Sequence, residues 1–279
     1  MKALKDYQNK LFPYAYNILG SSEDAKDAIQ DILVNYLSKK KSDIENEIGY
    51  LIKAVINQSI NLKKRKSKFT SDKTWLPEPI STENPDSGIN KSEIISYSIL
   101  VLLEKLTPTE RAIFMLKKAF DYSHHEIAEK LNITIDNSRK ILSRAKNKLS
   151  KNNTTENKKP ISLPTSYMQK YIEVIKNGDT AKLEKLLTKE ISLTADGGGN
   201  IKVVREFTTG DNATAKLLLY VYKTFQKSQR VEISEINHQP ALLFFENNNI
   251  VTCQVFDIRE NGIVSIHAIL DPVKLNSLS

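Results

Sequence analysis

Apolar residues recur at helical spacing through the first 68 residues. Ala25, Ala28, Ile29, Ile32, Leu33, Tyr36 and Leu37 form one stripe. Ser21 and Ser22 before Glu23-Asp24 supply a helix start, with acids at the positive end of the dipole. A further helix is predicted from about Ile48, with Leu51, Ile52, Val55, Ile56, Ser59 and Ile60 inward, running into a basic segment. Residues 69–92 break the pattern. Two prolines in Trp75-Leu76-Pro77-Glu78-Pro79, then Pro85 and Gly88, exclude a helix and mark a linker.

Residues 93–150 are helical again. Thr107-Pro108-Thr109-Glu110 and Ser123-His124-His125-Glu126 are two capping boxes, the first with proline at the first helical position. A polar second linker, 151–164, follows. The pattern then changes at 165–279. Helices are predicted at Thr165–Asn177, Asp179–Leu187 and Asp211–Phe225, around a glycine turn at Asp196-Gly197-Gly198-Gly199-Asn200. Strand-like runs at 231–237, 241–247, 250–258 and 263–270 have turns at Asn247–Asn249 and Glu260–Gly262 between them. The expected fold class is therefore multidomain. Two all-α domains (1–68 and 93–150) precede an α+β cone or half-barrel with an antiparallel meander.

Charge sharpens this picture. The formal net charge is +8, and it is uneven. Residues 1–160 carry 28 Lys+Arg against 20 Asp+Glu, whereas 161–279 carry 13 of each. Residues 63–68 hold +5 and residues 139–159 hold +7. Two focused basic clusters suit the neutralisation of phosphates. A single cysteine, Cys253, excludes an internal disulfide and a four-thiolate metal site. No apolar run is long enough for a membrane span, and Met1–Lys10 lacks a signal-peptide core, so a cytoplasmic protein is expected.

Ser123–Leu149 reads as a DNA-binding helix-turn-helix. A short helix ends at Leu131, Asn132-Ile133-Thr134 turns, and a second helix puts Ile135, Ser138, Ile141, Leu142, Ala145 and Leu149 inward. Its other face offers Asn137, Arg139 and Lys140 to base edges, then Arg144, Lys146 and Lys148 to phosphates.

These residues resemble a known family. Leu106–Phe114, Tyr122–Glu129 and Ser143–Lys146 look like the sigma-4 domain of extracytoplasmic-function sigma factors, which reads the minus-35 promoter element. Asp24–Leu33 looks like the sigma-2 helix that docks on core RNA polymerase. The resemblance and an acidic stripe on one helix face assign polymerase binding to Asp24, Asp27, Gln30 and Asp31. Tyr50–Asn61 with Lys63-Lys64-Arg65 looks like the part that melts and reads the minus-ten element. The resemblance implies contacts from Asn57, Asn61, Lys63, Lys64 and Arg65 to promoter DNA and its melted non-template strand. Tyr50 stands where many members have tryptophan, and Asn61 where many have aspartate. Trp75–Pro79, Asp196–Gly199 and the closing Leu270-Asp271-Pro272-Val273-Lys274-Leu275 resemble a subgroup fused to a SnoaL-like, NTF2-type domain that acts in cis. We expect Trp75, Pro77 and Pro79 to meet Asp196, Gly197, Gly198 and Gly199.

The last domain carries candidate catalytic residues of its own. Related folds use a carboxylate with a histidine for proton transfer. Asp196, Asp211, Asp257, His238 and His267 are available, and Asp257 and His267 share a predicted strand face. A half-buried strand histidine beside an ion-paired aspartate explains them as well, and fold alone implies no activity. The glycine triplet lacks the lysine and hydroxyl of a phosphate loop. His124 and His125 lack further metal ligands. No enzyme, cofactor or metal is expected. Two rivals stay open: a ligand-sensing DNA-binding regulator with a small-molecule pocket in its C-terminal domain, and a cyclase or isomerase carrying a DNA-binding half.

Overall fold

Ser21 accepts a hydrogen bond from the Asp24 N–H and starts α2 (Ser22–Leu37), whose buried stripe of Ala25, Ala28, Ile29, Leu33 and Tyr36 follows the apolar spacing. In the computed structural model this helix packs with α1 (Lys2–Leu19) and α3 (Glu47–Lys66). The structure describes residues 2–38, 45–66, 75–83, 88–150, 165–199, 201, 203 and 208–278. The second linker, 151–164, lies outside them, as do residues 67–74 and 84–87 of the first and Asn200 of the glycine turn.

By internal contacts the chain divides into two units. The first comprises Met1–Lys73, Asn84–Ile95 and Ile99–Asn157; the second comprises Thr74–Glu83, Ser96–Ser98 and Lys158–Ser279. The two helical segments thus form one packed body, and part of the first linker folds with the C-terminal residues.

α4 (Tyr97–Leu102), whose first two residues belong to unit 2, runs into a short 3-10 turn at Leu103–Lys105 in unit 1. Thr107 closes a full capping box with Glu110 and opens α5 (Pro108–Lys118). Ser123 and Glu126 do the same for α6 (His124–Leu131). Asn132, at φ 52° and ψ 49°, ends α6 in the left-handed conformation that asparagine adopts at modest cost, and α7 (Ile135–Ser150) follows. Leu103, Leu106, Met115, Ala145 and Leu149 form the core beneath α7. Ile135 is exposed, not inward as its spacing suggested, because it lies at the first helical position, before the face turns onto that core.

Unit 2 opens with α8 (Thr165–Asn177) and α9 (Thr180–Leu186). They are followed by β1 (Leu187–Asp196), β2 (Thr208–Thr209), α10 (Asp211–Val221), a π-helical turn at Tyr222–Gln226, and four strands: β3 (Arg230–Ile236), β4 (Gln239–Glu246), β5 (Asn249–Arg259) and β6 (Gly262–Ile269). A last helix, α11, spans Pro272–Leu275. The sheet order is β2-β1-β6-β5-β4-β3. The expected meander is present, but the sheet is mixed: β1 lies parallel to β6, with Leu193 opposite Ile266 and Asp196 opposite Ile269. One face carries the core, with Leu242, Phe244, Phe256 and Ile266 against Tyr171, Leu183 and Leu218 of the helices. The fold class is as expected, an all-α part followed by an α+β domain.

Candidate nucleic-acid interface and linker-binding site

Asp27, Gln30 and Asp31 all face solvent on α2. Val34 and Leu37 continue the same stripe one and two turns on, 61% and 51% exposed. An acidic row extended by bare apolar side chains suits a basic, partly apolar partner helix. Asp24 departs from the row, because its carboxylate is held at 2.6 Å by Lys66 Nζ from the end of α3.

On α3, Asn61, Lys64 and Arg65 are exposed, whereas Asn57 and Lys63 are engaged within unit 1. Asn57 Nδ2 donates to the Lys130 carbonyl of α6 at 3.0 Å. Lys63 is more enclosed than its neighbours Lys64 and Arg65. Its ammonium is mostly buried, donates to the Leu19 carbonyl at 2.8 Å, and forms an ion pair with Glu104 at 2.8 Å. Burial, aided by the nearby Arg111 guanidinium and opposed by Glu104, lowers its pKa to about 8. A run of basic residues looks uniformly solvated in sequence, but helical rotation turns one of the four inward here.

The helix-turn-helix presents Asn137, Arg139, Lys140, Arg144 and Lys146 to solvent. A shallow concavity of about 590 Å³ is lined by Asn132, Ile133, Thr134, Asp136, Asn137 and Lys140, at the start of α7. Ser138 points inward, its Oγ 2.9 Å from His124 Nδ1, and ties α7 to α6. Among the described residues no cluster of metal ligands includes His124 or His125. Arg139 pairs with Asp136 at 3.1 Å. Lys148 is exposed and bridges to Glu110 of the α5 capping box at 2.8 Å.

In unit 2 the proline-containing linker lies against the C-terminal residues. The Leu76 N–H donates to Asp196 Oδ2 at 2.7 Å, and Lys274 Nζ donates to both the Leu76 carbonyl (2.6 Å) and Asp196 Oδ2 (2.5 Å). The same ammonium sits 4.5 Å from the Trp75 ring centre. Pro77 and Pro79 are buried; the Pro77 carbonyl accepts from Tyr97 Oη and the Pro79 carbonyl from Ser277 Oγ. Asn237, at φ 47°, grips Ile80 twice: its N–H donates to the Ile80 carbonyl and its Oδ1 accepts from the Ile80 N–H, both at 2.9 Å. Ser81 pairs with Ile236 at the end of β3.

The glycines act differently from expectation. The linker meets Asp196, whereas the segment that crowds Gly198 is Asp271, whose carboxylate would lie 2.6 Å from an added Cβ. Gly198 also takes φ +63°, and an added Cβ at Gly197 would meet the Ile201 carbonyl at 2.3 Å. Gly199 has open space around it. The buried apolar anchor is Leu76; Trp75 is only partly buried and serves as a face for Lys274.

Asp257 and His267 do not form an acid–base pair. Asp257 holds Arg259 at 3.0 Å, while His267 lies between Thr194 Oγ1 (2.7 Å) and Ser265 Oγ (3.2 Å) with the Tyr97 ring 5.8 Å away. Burial lowers the His267 pKa to about 4. The unfolded chain, with an ordinary histidine pKa near 6.5, binds more protons between those values. Stability from this site is thus complete above about pH 6.5 and is lost as pH falls toward about 4, on the order of 3 kcal/mol. Urea titrations of wild type and His267→Gln across that range should show a slope in wild type that the variant lacks.

Residues 96–149 match the family model described as Sigma-70, region 4. Over 285 residues the chain is 22% identical to the Mycobacterium tuberculosis protein named "Probable ECF RNA polymerase sigma factor SigI", covering 99% of this chain and 94% of that one. It is 24% identical over 217 residues to the ECF RNA polymerase sigma factor SigJ of the same organism, covering 75% and 69%. The crystal structure of the M. tuberculosis extracytoplasmic function sigma factor SigJ superposes with a TM-score of 0.78 at 19% identity, over 99% of this chain and 97% of that chain. The chain is similar over nearly its whole length to proteins named extracytoplasmic-function sigma factors. The segment matched to region 4 begins at Ser96, so its first three residues fold with unit 2. The sequence reading overlooked Lys274, Asn237, Gln239 and Tyr97 as residues of the linker site. Only the closing Leu270–Leu275 resemblance included one of them, Lys274.

Proposed function

We propose that this chain is an alternative sigma factor whose C-terminal domain controls it in cis. The observation that carries the reading is the region 4 helix-turn-helix with Asn137, Arg139 and Lys140 exposed at the start of α7, within a chain similar to sigma factors over nearly its whole length. Asp27, Gln30 and Asp31 of α2 would dock on core RNA polymerase, with Val34 and Leu37 extending the contact. Asn61, Lys64 and Arg65 would meet the minus-ten element and its melted non-template strand. Asn137, Arg139 and Lys140 would read the minus-35 element, with Arg144 and Lys146 on phosphates. Asn57 and Lys63 would join only after their bonds to Lys130 and Glu104 break, so the arrangement of unit 1 fits a DNA-free form. We assign no catalytic step to the C-terminal domain, since its Asp257 and His267 are each committed to other partners.

The test is binding to sigma-free core polymerase. Asp27→Lys with Asp31→Lys alters only exposed side chains, so the fold should survive. Reversing two charges in a complementary contact should weaken binding by at least about tenfold. Equal binding by the variant and wild type would remove α2 from the contact, and no binding by wild type would end the sigma reading.

A further inference from the structure

The helix that opens region 4 is too short to stand alone. α4 has six residues, and isolated helices need roughly 12–15 to be even marginal in water. Its first-turn N–H groups have no acceptor within the helix. Ser98, the second residue of α4, solves this from outside: its N–H donates to Gln239 Oε1 at 2.6 Å. Gln239 Nε2 returns a bond to Ser98 Oγ at 3.0 Å and another to the Phe256 carbonyl at 3.3 Å. The glutamine is buried at the start of β4, so its amide is committed to these contacts and not to water. Beside it Tyr97 is fully buried, its hydroxyl donating to the Pro77 carbonyl at 2.6 Å and its ring against His267. All of these residues lie in unit 2. Further along the chain Leu103 and Leu106 reach the core shared with Ala145 and Leu149 of α7.

We propose that Gln239 is a positioning residue for promoter reading: its side-chain carbonyl caps α4 at Ser98 and thereby keeps the start of region 4 folded. This is a second hold, distinct from the one that Asp196 and Lys274 exert on Leu76. A carbonyl oxygen aimed at a first-turn N–H does what a side-chain cap does within a helix. Losing it should fray α4 from its start and loosen the support of the recognition helix, without touching α2. The inference rests on the sigma reading for its functional consequence, but not for its structural one.

The experiment is amide hydrogen exchange on the full chain, wild type against Gln239→Leu and Gln239→Glu, with two binding measurements alongside. One uses sigma-free core polymerase. The other uses DNA selected from a random library by the wild-type holoenzyme. In Gln239→Leu, amides from Ser98 to Leu103 should exchange at least about tenfold faster while α5 keeps its protection. DNA affinity should fall about tenfold, with core binding unchanged. Gln239→Glu keeps an acceptor for the Ser98 N–H but loses the donor to the Phe256 carbonyl, so it should exchange more slowly at Ser98–Leu103, and bind DNA more tightly, than Gln239→Leu without reaching wild type. Unchanged exchange at Ser98–Leu103 would overturn the cap. Faster exchange throughout β3–β6 would make Gln239 a residue of the sheet alone and overturn it too. Frayed α4 with undiminished DNA affinity would overturn the positioning role. If wild type failed to bind core polymerase, the sigma reading would fall while the exchange data still decided the cap.

Discussion

Asp196→Ala is expected to destabilise unit 2 by about 3–5 kcal/mol, the range for breaking a buried ion pair by removing one partner. The carboxylate is almost fully buried and does three things at once. Oδ2 accepts from the Leu76 N–H and from Lys274, and Oδ1 accepts from the Gly198 N–H at 2.8 Å. Truncation would leave the Lys274 ammonium, itself buried, with only the Leu76 carbonyl and the Trp75 ring. Lys274→Met should cost less, because Asp196 keeps two backbone donors. The double variant Asp196→Ala/Lys274→Met should recover part of the loss, since no uncompensated charge remains. Trp75 is the single tryptophan of the chain and sits at the site, so its fluorescence reports local release during urea unfolding. Matching Trp75 transitions in wild type and Asp196→Ala would show that the ion pair contributes no net hold on the linker.

Which features were legible in sequence follows from how local their causes are. Two capping boxes and a left-handed Asn132 set the helix-turn-helix through residues three or four apart, so caps and spacing sufficed. β1 was invisible for the opposite reason. Its Lys189-Glu190 pair interrupts any alternation, its burial does not alternate either, and it gains its place by parallel pairing with β6, seventy residues on. Lys274 read as one more surface lysine, because the carboxylate that draws it inward lies 78 residues earlier. The partners of Lys63 and Lys148 were hidden in the same way, because Glu104 and Glu110, which pair with them, lie far along the chain. Gln239 carried no signal, since a glutamine at a strand start has no pattern of its own. The motifs Trp75–Pro79 and Asp196–Gly199 were visible as departures from regular structure, and one side of their meeting was misassigned: Asp271, not the linker, crowds Gly198.

Arg111→Met should be the most damaging single change in unit 1, with an expected loss of about 3–5 kcal/mol. The guanidinium is fully buried. Its Nε donates to the Asn17 carbonyl of α1 at 2.8 Å, and its Nη1 forms an ion pair with Glu104, which also holds Lys63 of α3. One arginine therefore ties α1, α3 and the turn before α5 together. Arg111→Lys should rescue little, because a single ammonium cannot span a carbonyl and a carboxylate with the fixed fork that arginine offers. The pH dependence separates charge from packing. Lys63 titrates near 8 when folded and near 10.5 when unfolded, so the unfolded chain binds more protons between these values, and wild-type stability should rise as pH climbs from about 8 toward 10. Arg111 is one cause of that depression, second to burial. Arg111→Met should therefore flatten the rise as well as lower the whole curve, whereas a change that merely opened a cavity would lower the curve and leave its slope intact. Urea unfolding followed by helical circular dichroism at several pH values would distinguish the two. A lowered curve of unchanged slope would mean that Arg111 matters by its volume, and that the charges of Glu104 and Lys63 hold unit 1 without it.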